Sequence, residues 1–267
     1  MKHQFITFII LSLTTMSAVA QDRVFTNVYQ TNVLPAGIKD IEYQLQHHTG
    51  RSSFYNSYTQ RFEFEVGLGG NVQTSLYLNM KTTVTLDTTA NAINRCNEFG
   101  FSSEFKWKLS DPTNNKIGSA LYAEIGSNGD EWELEAKILL DKQMSKHLLA
   151  LNLVEEVGAE TEVVGDEVKR KMEYPVKIDF GYMYELCKHA GLGLEAKNFN
   201  DISGDAGWES TLLFAGPVLN FHGDGWFINV SCMPQLHNLK RTDEFPDALD
   251  LTEHEKINTN VILSFTF

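Results

Sequence analysis

The sequence predicts an all-β protein, a closed antiparallel transmembrane β-barrel of about 12 strands. Three observations carry this. Apolar and polar side chains alternate with a period of two from Asp40 to the last residue, and successive strand side chains point to opposite faces. No stretch beyond the N-terminal leader approaches the ~20 apolar residues of a membrane-spanning helix. The connections alternate between short turns and long loops, with the fifth, around Asn128-Gly129, the one exception, and this is the pattern of a barrel wall with two unlike sides.

The leader comes first. Lys2, the apolar run from Phe5 to Leu13 and the small residues Ala18-Val19-Ala20 have the form of a cleaved secretory signal peptide over residues 1–20. Gln21 follows the expected cut, and with no cysteine there a lipid anchor is not expected. Residues 21–38 are irregular, with Pro35 and Gly37 as punctuation, and are expected as an N-terminal lead-in tucked against the barrel. The barrel itself is assigned to residues 39–267.

Strand one (39–48) opposes Ile41, Tyr43 and Leu45 to Glu42, Gln44 and Gln46. Strand two (about 59–68) opposes Phe62, Phe64, Val66 and Leu68 to Arg61, Glu63, Glu65 and Gly67, and Gly69-Gly70 turns it into a third with Leu76, Leu78 and Met80. The fourth (98–109) sets Phe99, Phe101, Phe105 and Trp107 against Glu104, Lys106 and Lys108. A hairpin at Asn128-Gly129 joins the fifth to the sixth, where Trp132, Leu134, Ala136 and Ile138 oppose Glu131, Glu133, Glu135 and Lys137. The seventh (146–157) alternates more weakly. The eighth sets Met172 to Tyr184 against Glu173, Lys177 and Asp179; the ninth opposes Leu192 and Leu194 to Glu195 and Lys197. The tenth (207–222) contains Pro217, where a bulge is expected, and Met233-Pro234 in the eleventh suggests another. The last strand places Ile257, Thr259, Val261, Leu263, Phe265 and Phe267 on one face. Long loops are expected around 49–58, 81–97, 158–168, 200–206 and 237–254, and the short turns, with both termini, on the periplasmic side.

With these residues in view, the chain resembles the uncharacterised, porin-like outer-membrane β-barrel proteins of Gram-negative bacteria. The resemblance rests on Leu34-Pro35-x-Gly37, Arg61-x-Glu63-x-Glu65-x-Gly67-Leu68, Ala215-Gly216-Pro217 with the Gly225-Trp226 hairpin, and the terminal Phe267. It implies the barrel fold, the bacterial outer membrane as location, and outer-membrane lipid and the barrel assembly machinery as partners. It also makes Phe265 and Phe267 the assembly signal. It brings no catalytic residue with it.

The function classes are bounded by charge and motif. A formal net charge of −13 excludes nucleic acid as a partner, since phosphate binding needs clustered Lys and Arg. Arg61, Glu63, Glu65, Glu104, Lys106, Lys108, Glu131, Glu133, Glu135, Lys137, Lys177, Asp179, Glu195 and Lys197 share the face opposite the apolar one. Facing lipid, each lysine near the midplane would cost ~2–4 kcal/mol, so the set is assigned to the lumen. There it either selects permeants by charge or pairs and fills the interior; twelve strands lie between the filled eight-stranded and open sixteen-stranded cases. His47-His48 followed by Ser52 and Ser53 lacks the serine two residues on that a membrane-embedded phospholipase places beside its histidine, so loop histidines are expected. Glu253-His254-Glu255 and the acidic run 155–167 lack zinc or calcium spacing and read as solvated loops. Trp107, Trp132, Tyr184 and Trp226 suit interfacial girdles. Cys96, Cys187 and Cys232 form no disulfide framework. No cofactor and no catalytic set is expected. The leading function is porin-like passage of small solutes; the alternatives are a non-conducting structural or ligand-binding barrel acting through its loops, and, behind both, a lipid hydrolase.

Overall fold

The first and last strands meet. Lys39 N–H donates to the Phe267 carbonyl (3.0 Å) and Phe267 N–H to the Lys39 carbonyl (2.9 Å). The ladder continues from Asp40↔Thr266 to Thr49↔Ile257. A sheet closed on itself has no unpaired edge, which is what allows strands to cross lipid. The structure, a computed structural model, describes residues 23–87, 89–164, 167–241 and 247–267. The expected signal peptide lies outside the described residues.

Thirteen strands follow in chain order: β1 Lys39–Thr49, β2 Tyr55–Gly69, β3 Val72–Asp87, β4 Ala92–Ser110, β5 Gly118–Ser127, β6 Glu131–Met144, β7 His147–Val164, β8 Glu167–Glu173, β9 Val176–Cys187, β10 Ala190–Ser203, β11 Gly207–Gly223, β12 Trp226–Asn238 and β13 Ile257–Thr266. Every pairing is antiparallel between neighbours in the wall. β8 and β9 are one barrel strand. Pro175, which has no N–H, interrupts it, yet Gly158↔Glu173 and Glu155↔Val176 hold one register against β7. The barrel therefore has the twelve strands expected from the sequence.

Its burial is inverted relative to a soluble protein. Leu76, Phe101 and Leu194 are 61%, 70% and 58% exposed on the outer face, while Glu63, Ser75, Glu104, Asn229 and Asn260 are buried on the inner one. For a wall set in lipid, apolar side chains outside and polar ones inside is the stable arrangement. Trp107 and Trp226 stand outward near the short turns, and Trp132 and Trp208 near the long-loop end.

Three expectations are corrected. The connections at 81–97 and 158–168 are mostly strand: Asp87 pairs with Ala92 and Val164 with Glu167. These ribbons rise beyond the apolar band, where no lipid enforces alternation. The acidic run 155–167 is consequently no loop, and Glu156 is buried on the inner face of β7. Finally, Pro217 pairs with Leu194 in unbroken register, so β10 sees no bulge there. The irregularity lies on the β12 side, where the ladder skips from Phe214↔Gln235 to Val218↔Ser231 and shifts between Leu213 and Phe214. Both Pro217 and Pro234 fall in that gap, and neither has an N–H to give.

Candidate functional site: a plugged, charged lumen

The lead-in does not rest against the barrel; it runs inside it. Phe25, Val28, Thr31 and Leu34 are at most 3% exposed. Residues 35–38 cross the rim at the short-turn end, where Gly37 N–H donates to the Gly67 carbonyl (2.8 Å) and Gly67 N–H to Ile38 (3.0 Å). From there residues 34–23 turn into the lumen.

This segment has no strand partner, so its backbone must be satisfied by side chains. Gln73 of β3 accepts from Leu34 N–H (2.8 Å). Asp141 of β6 accepts from the N–H and the hydroxyl of Thr31 (2.9 and 2.8 Å). The Asn152 amide of β7 both accepts from Tyr29 N–H (2.7 Å) and donates to its carbonyl (2.9 Å). Glu195 of β10 does the most. Its Oε1 accepts from three successive N–H groups, Thr26, Asn27 and Val28 (2.9, 2.8 and 3.2 Å), and Oε2 from the Thr26 hydroxyl (2.6 Å). Such converging N–H groups are an anion nest, here filled by the barrel's own carboxylate.

Apolar contacts fix the depth. The Phe25 ring packs with Val28 against Leu148, Ala150, Met183 and Val218. Gly181 makes room for it: a Cβ there would lie 2.8 Å from the ring. Tyr29 packs on Ala120, Tyr122 and Leu139, with its ring edge-on to Tyr122 at 5.1 Å. Arg23 lies over Tyr29 (4.2 Å) and 3.8 Å from Glu42, and donates to the carbonyls of Phe25 and Thr26. The gap between Arg23, Tyr29, Gln30, Glu42, Glu65 and Lys106 is too small for a water molecule.

Toward the long loops the lumen opens into a vestibule of about 420 Å³. Arg23, Thr26, Asn27 and Tyr29 contribute to its lining from the plug, and Ser127, Asn128 and Glu131 stand at the β5–β6 turn. Seven carboxylates and six cationic side chains line it. Most are matched. Arg61 donates to Glu124 (2.5 Å) and lies over the Tyr77 ring at 3.9 Å. Lys137 is 2.7 Å from Glu135 and lies over both Tyr29 and Tyr122 (4.0 and 4.2 Å). Lys177 bonds to Glu156, and Lys81 to Glu98 (3.3 Å).

The residues assigned to the lumen from the sequence thus fall in two groups. Arg61, Glu131, Glu133, Glu135, Lys137, Lys177, Asp179 and Lys197 line the vestibule. Glu63, Glu65, Glu104, Lys106 and Glu195 are buried below it, beside or bonded to the plug, while Lys108 turns to Asp111 at the rim (3.6 Å). Glu124, Glu156 and the whole plug were missed. Tyr122 and Glu124 sit on β5, where Gly118, Ala120 and Gly126 dilute the polar face. Phe265 and Phe267 are exposed on the outer face at the closing seam.

Among the described residues, His47, His48 and His254 are engaged by partners other than a serine. His47 stacks on Tyr58 at 4.5 Å and lies 3.1 Å from Asn56, and His48 is bound to Glu255 (2.7 Å). Among the described residues neither reaches a serine hydroxyl. His254 lies 3.8 Å from both Asp201 and Asp250, apart from Glu255. The loop segment 247–256 is tied down by Gln235, which accepts from Asp250 N–H and donates to its carbonyl. Burial alone would raise the Glu255 carboxyl, but the hydrogen bond and charge of His48 hold it down at about 2. A carboxyl depressed in the folded state stabilises fully above its ordinary range, and that contribution disappears as pH falls through the lowered value. Protease cleavage of this loop is therefore expected to be slower in the parent than in Glu255→Gln at pH 7, and the two rates should converge as the pH approaches 2. Equal rates at pH 7 would remove His48–Glu255 as a loop anchor.

Fold and inner face together define an outer-membrane-type β-barrel with a filled lumen. The chain belongs to the family described as "Family of unknown function (DUF6662)", which matches residues 17–267. No curated protein matches it. Among solved structures it is similar to the NanC porin (TM-score 0.53, 9% identity, 84% of this chain and 98% of that one). It is likewise similar to the KdgM porin in complex with disordered oligogalacturonate (0.51, 8%, 85% and 99%). The β domain of the Bordetella autotransporter BrkA is similar at TM-score 0.57 and 7% identity, over 87% of this chain and all of that one. At such identities the likeness is one of fold.

Proposed function

We propose that this protein is a passage for small polar solutes across the bacterial outer membrane that rests closed, its own N-terminal segment being the plug. The observation that carries the reading is residues 23–34 filling the lumen below a charged vestibule. The wall behind the plug supports movement. Glu65, Gln73, Ser75, Asp141, Glu195, Asn229 and Asn260 would all be solvated if the segment withdrew, whereas an apolar wall would be left bare in water. A second reading, a permanently closed binding barrel, has its own support in the apolar niche built for Phe25. Single-channel recording in planar bilayers separates them. The intact protein is expected to be silent at rest with brief openings under voltage, and a variant lacking residues 23–34 to show long-lived open steps. Steady conduction by the intact protein would refute the plug. An intact protein silent at every voltage, beside a conducting deletion variant, would favour the binding barrel.

A further inference from the structure

Three carboxylates converge on one wall of the vestibule. Glu133 and Glu135 of β6 and Glu156 of β7 each bring an oxygen within 4.8 Å of the other two. Two ammonium groups already meet this cluster: Lys137 Nζ at 2.7 Å from Glu135, and Lys177 bonded to Glu156. Glu133 is the remainder. It stands open to the vestibule, and among the described residues it makes no hydrogen bond or ion pair. A separate side chain lining the same cavity also lacks a donor: Oδ1 of Asp179, a residue only 5% exposed, has no hydrogen-bond partner among the described residues. A buried carboxylate oxygen left without a donor is costly, so an incoming donor gains there.

We propose that this wall binds the primary ammonium group of a small organic amine. An ammonium brings one positive charge and three donors. One carboxylate is uncompensated and three acceptors converge, so both numbers match. A divalent metal matches less well: it brings two charges where one is missing, and binding all three oxygens directly would displace both lysine ammonium groups, whereas an ammonium only adds donors to carboxylates that keep lone pairs free. A quaternary ammonium supplies the charge but no donor. Asp179 offers a further acceptor to a second amine on the same molecule. The proposal deepens the passage reading by naming its solute class, yet the site belongs to the closed barrel and can be tested without opening it.

The test is calorimetric titration of the purified full barrel, in detergent at low salt, with putrescine, tetramethylammonium and calcium. Putrescine is expected to bind and tetramethylammonium not to. Glu133→Gln should weaken putrescine roughly tenfold, a loss of about 1.4 kcal/mol, and Glu253→Gln, in the exposed loop, should not change it. Heat-modifiable migration on gels checks that both variants are folded. Asp179→Asn is expected to erase the preference for putrescine over butylamine while butylamine binding persists. No putrescine binding, equal binding of tetramethylammonium, or calcium binding that competes and is itself lost in Glu133→Gln would overturn the assignment. A deletion variant that never conducts would defeat the passage reading and leave this titration as it stands.

Discussion

Gly67→Val is expected to turn a silent barrel into a conducting one. A Cβ at this position of β2 would lie 2.1 Å from the Pro35 carbonyl oxygen and 2.4 Å from that of Leu34. Both are backbone atoms, so no rotamer change relieves the clash. The wall itself accepts the change, since valine suits a strand. Ordinary overpacking costs ~1–3 kcal/mol, and an approach this close exceeds it. The nearest restraints, the Gly37–Gly67 and Gly67–Ile38 backbone bonds and Leu34 N–H on Gln73, contribute about 0.5–1.5 kcal/mol each. A contact of 2.1 Å with a backbone oxygen cannot be held, so residues 34–35 must move off the wall, and the segment cannot enter by its present route. Bilayer recording of a variant shown to be folded by heat-modifiable migration gives the answer; a folded and silent Gly67→Val would show that the lumen is closed by something other than this segment.

Removing Phe265, Thr266 and Phe267 is expected to abolish folding of the barrel. The cut takes away the reciprocal Lys39–Phe267 hydrogen bonds, the pairs Asp40↔Thr266, Ile41↔Phe265 and Trp226↔Phe265, and the Thr266 bond to Gly225 (2.9 Å). Each backbone group left unpaired in lipid costs several kcal/mol. Several at once exceed the ~5–15 kcal/mol by which a domain is stable. The heat-modifiable form should fall below detection and the chain should become protease-sensitive. Phe267→Ser leaves the backbone bonds in place. It therefore isolates the assembly role proposed for Phe265 and Phe267: slower insertion with a normal final barrel supports a recognition signal, and unchanged kinetics count against one. A truncated chain that still gave the folded band would show that closure does not depend on this seam.

The outer face was legible in the sequence because a barrel wall that faces lipid must be apolar on that side. Phe62, Phe64, Phe99, Phe101 and Phe105 must point out, and their neighbours then point in, so strand count and phase follow. Above the bilayer that constraint lapses, and strand residues such as Thr82, Thr83, Arg95 and Asn97 lose the alternation by which β3 and β4 could be traced. The plug was illegible for a different reason. Residues 23–34 are bonded to side chains of distant strands, so nothing periodic marks them. The trace was on the receiving side. Leu139, Leu148, Ala150, Val154 and Met183 put apolar groups on the inner face, which blurs alternation in the seventh strand and reads there as a weak strand. In a barrel, an inner face that turns apolar over a few rows indicates that something other than water fills the lumen.

The Glu195 nest also fixes an order of events. Thr26 meets Glu195 across 169 residues of chain and Phe25 meets Asn229 across 204. Tyr29 waits for Asn152, and Thr31 for Asp141. None of these partners is in position until the strands that carry them are paired, because each is presented by the inner face of the finished wall. Contacts between ends so far apart form only after the intervening loops have been closed. The part of the described chain that leaves the ribosome first thus waits for partners on β6, β7, β10 and β12, and its bonds are completed only after those strands are made and paired.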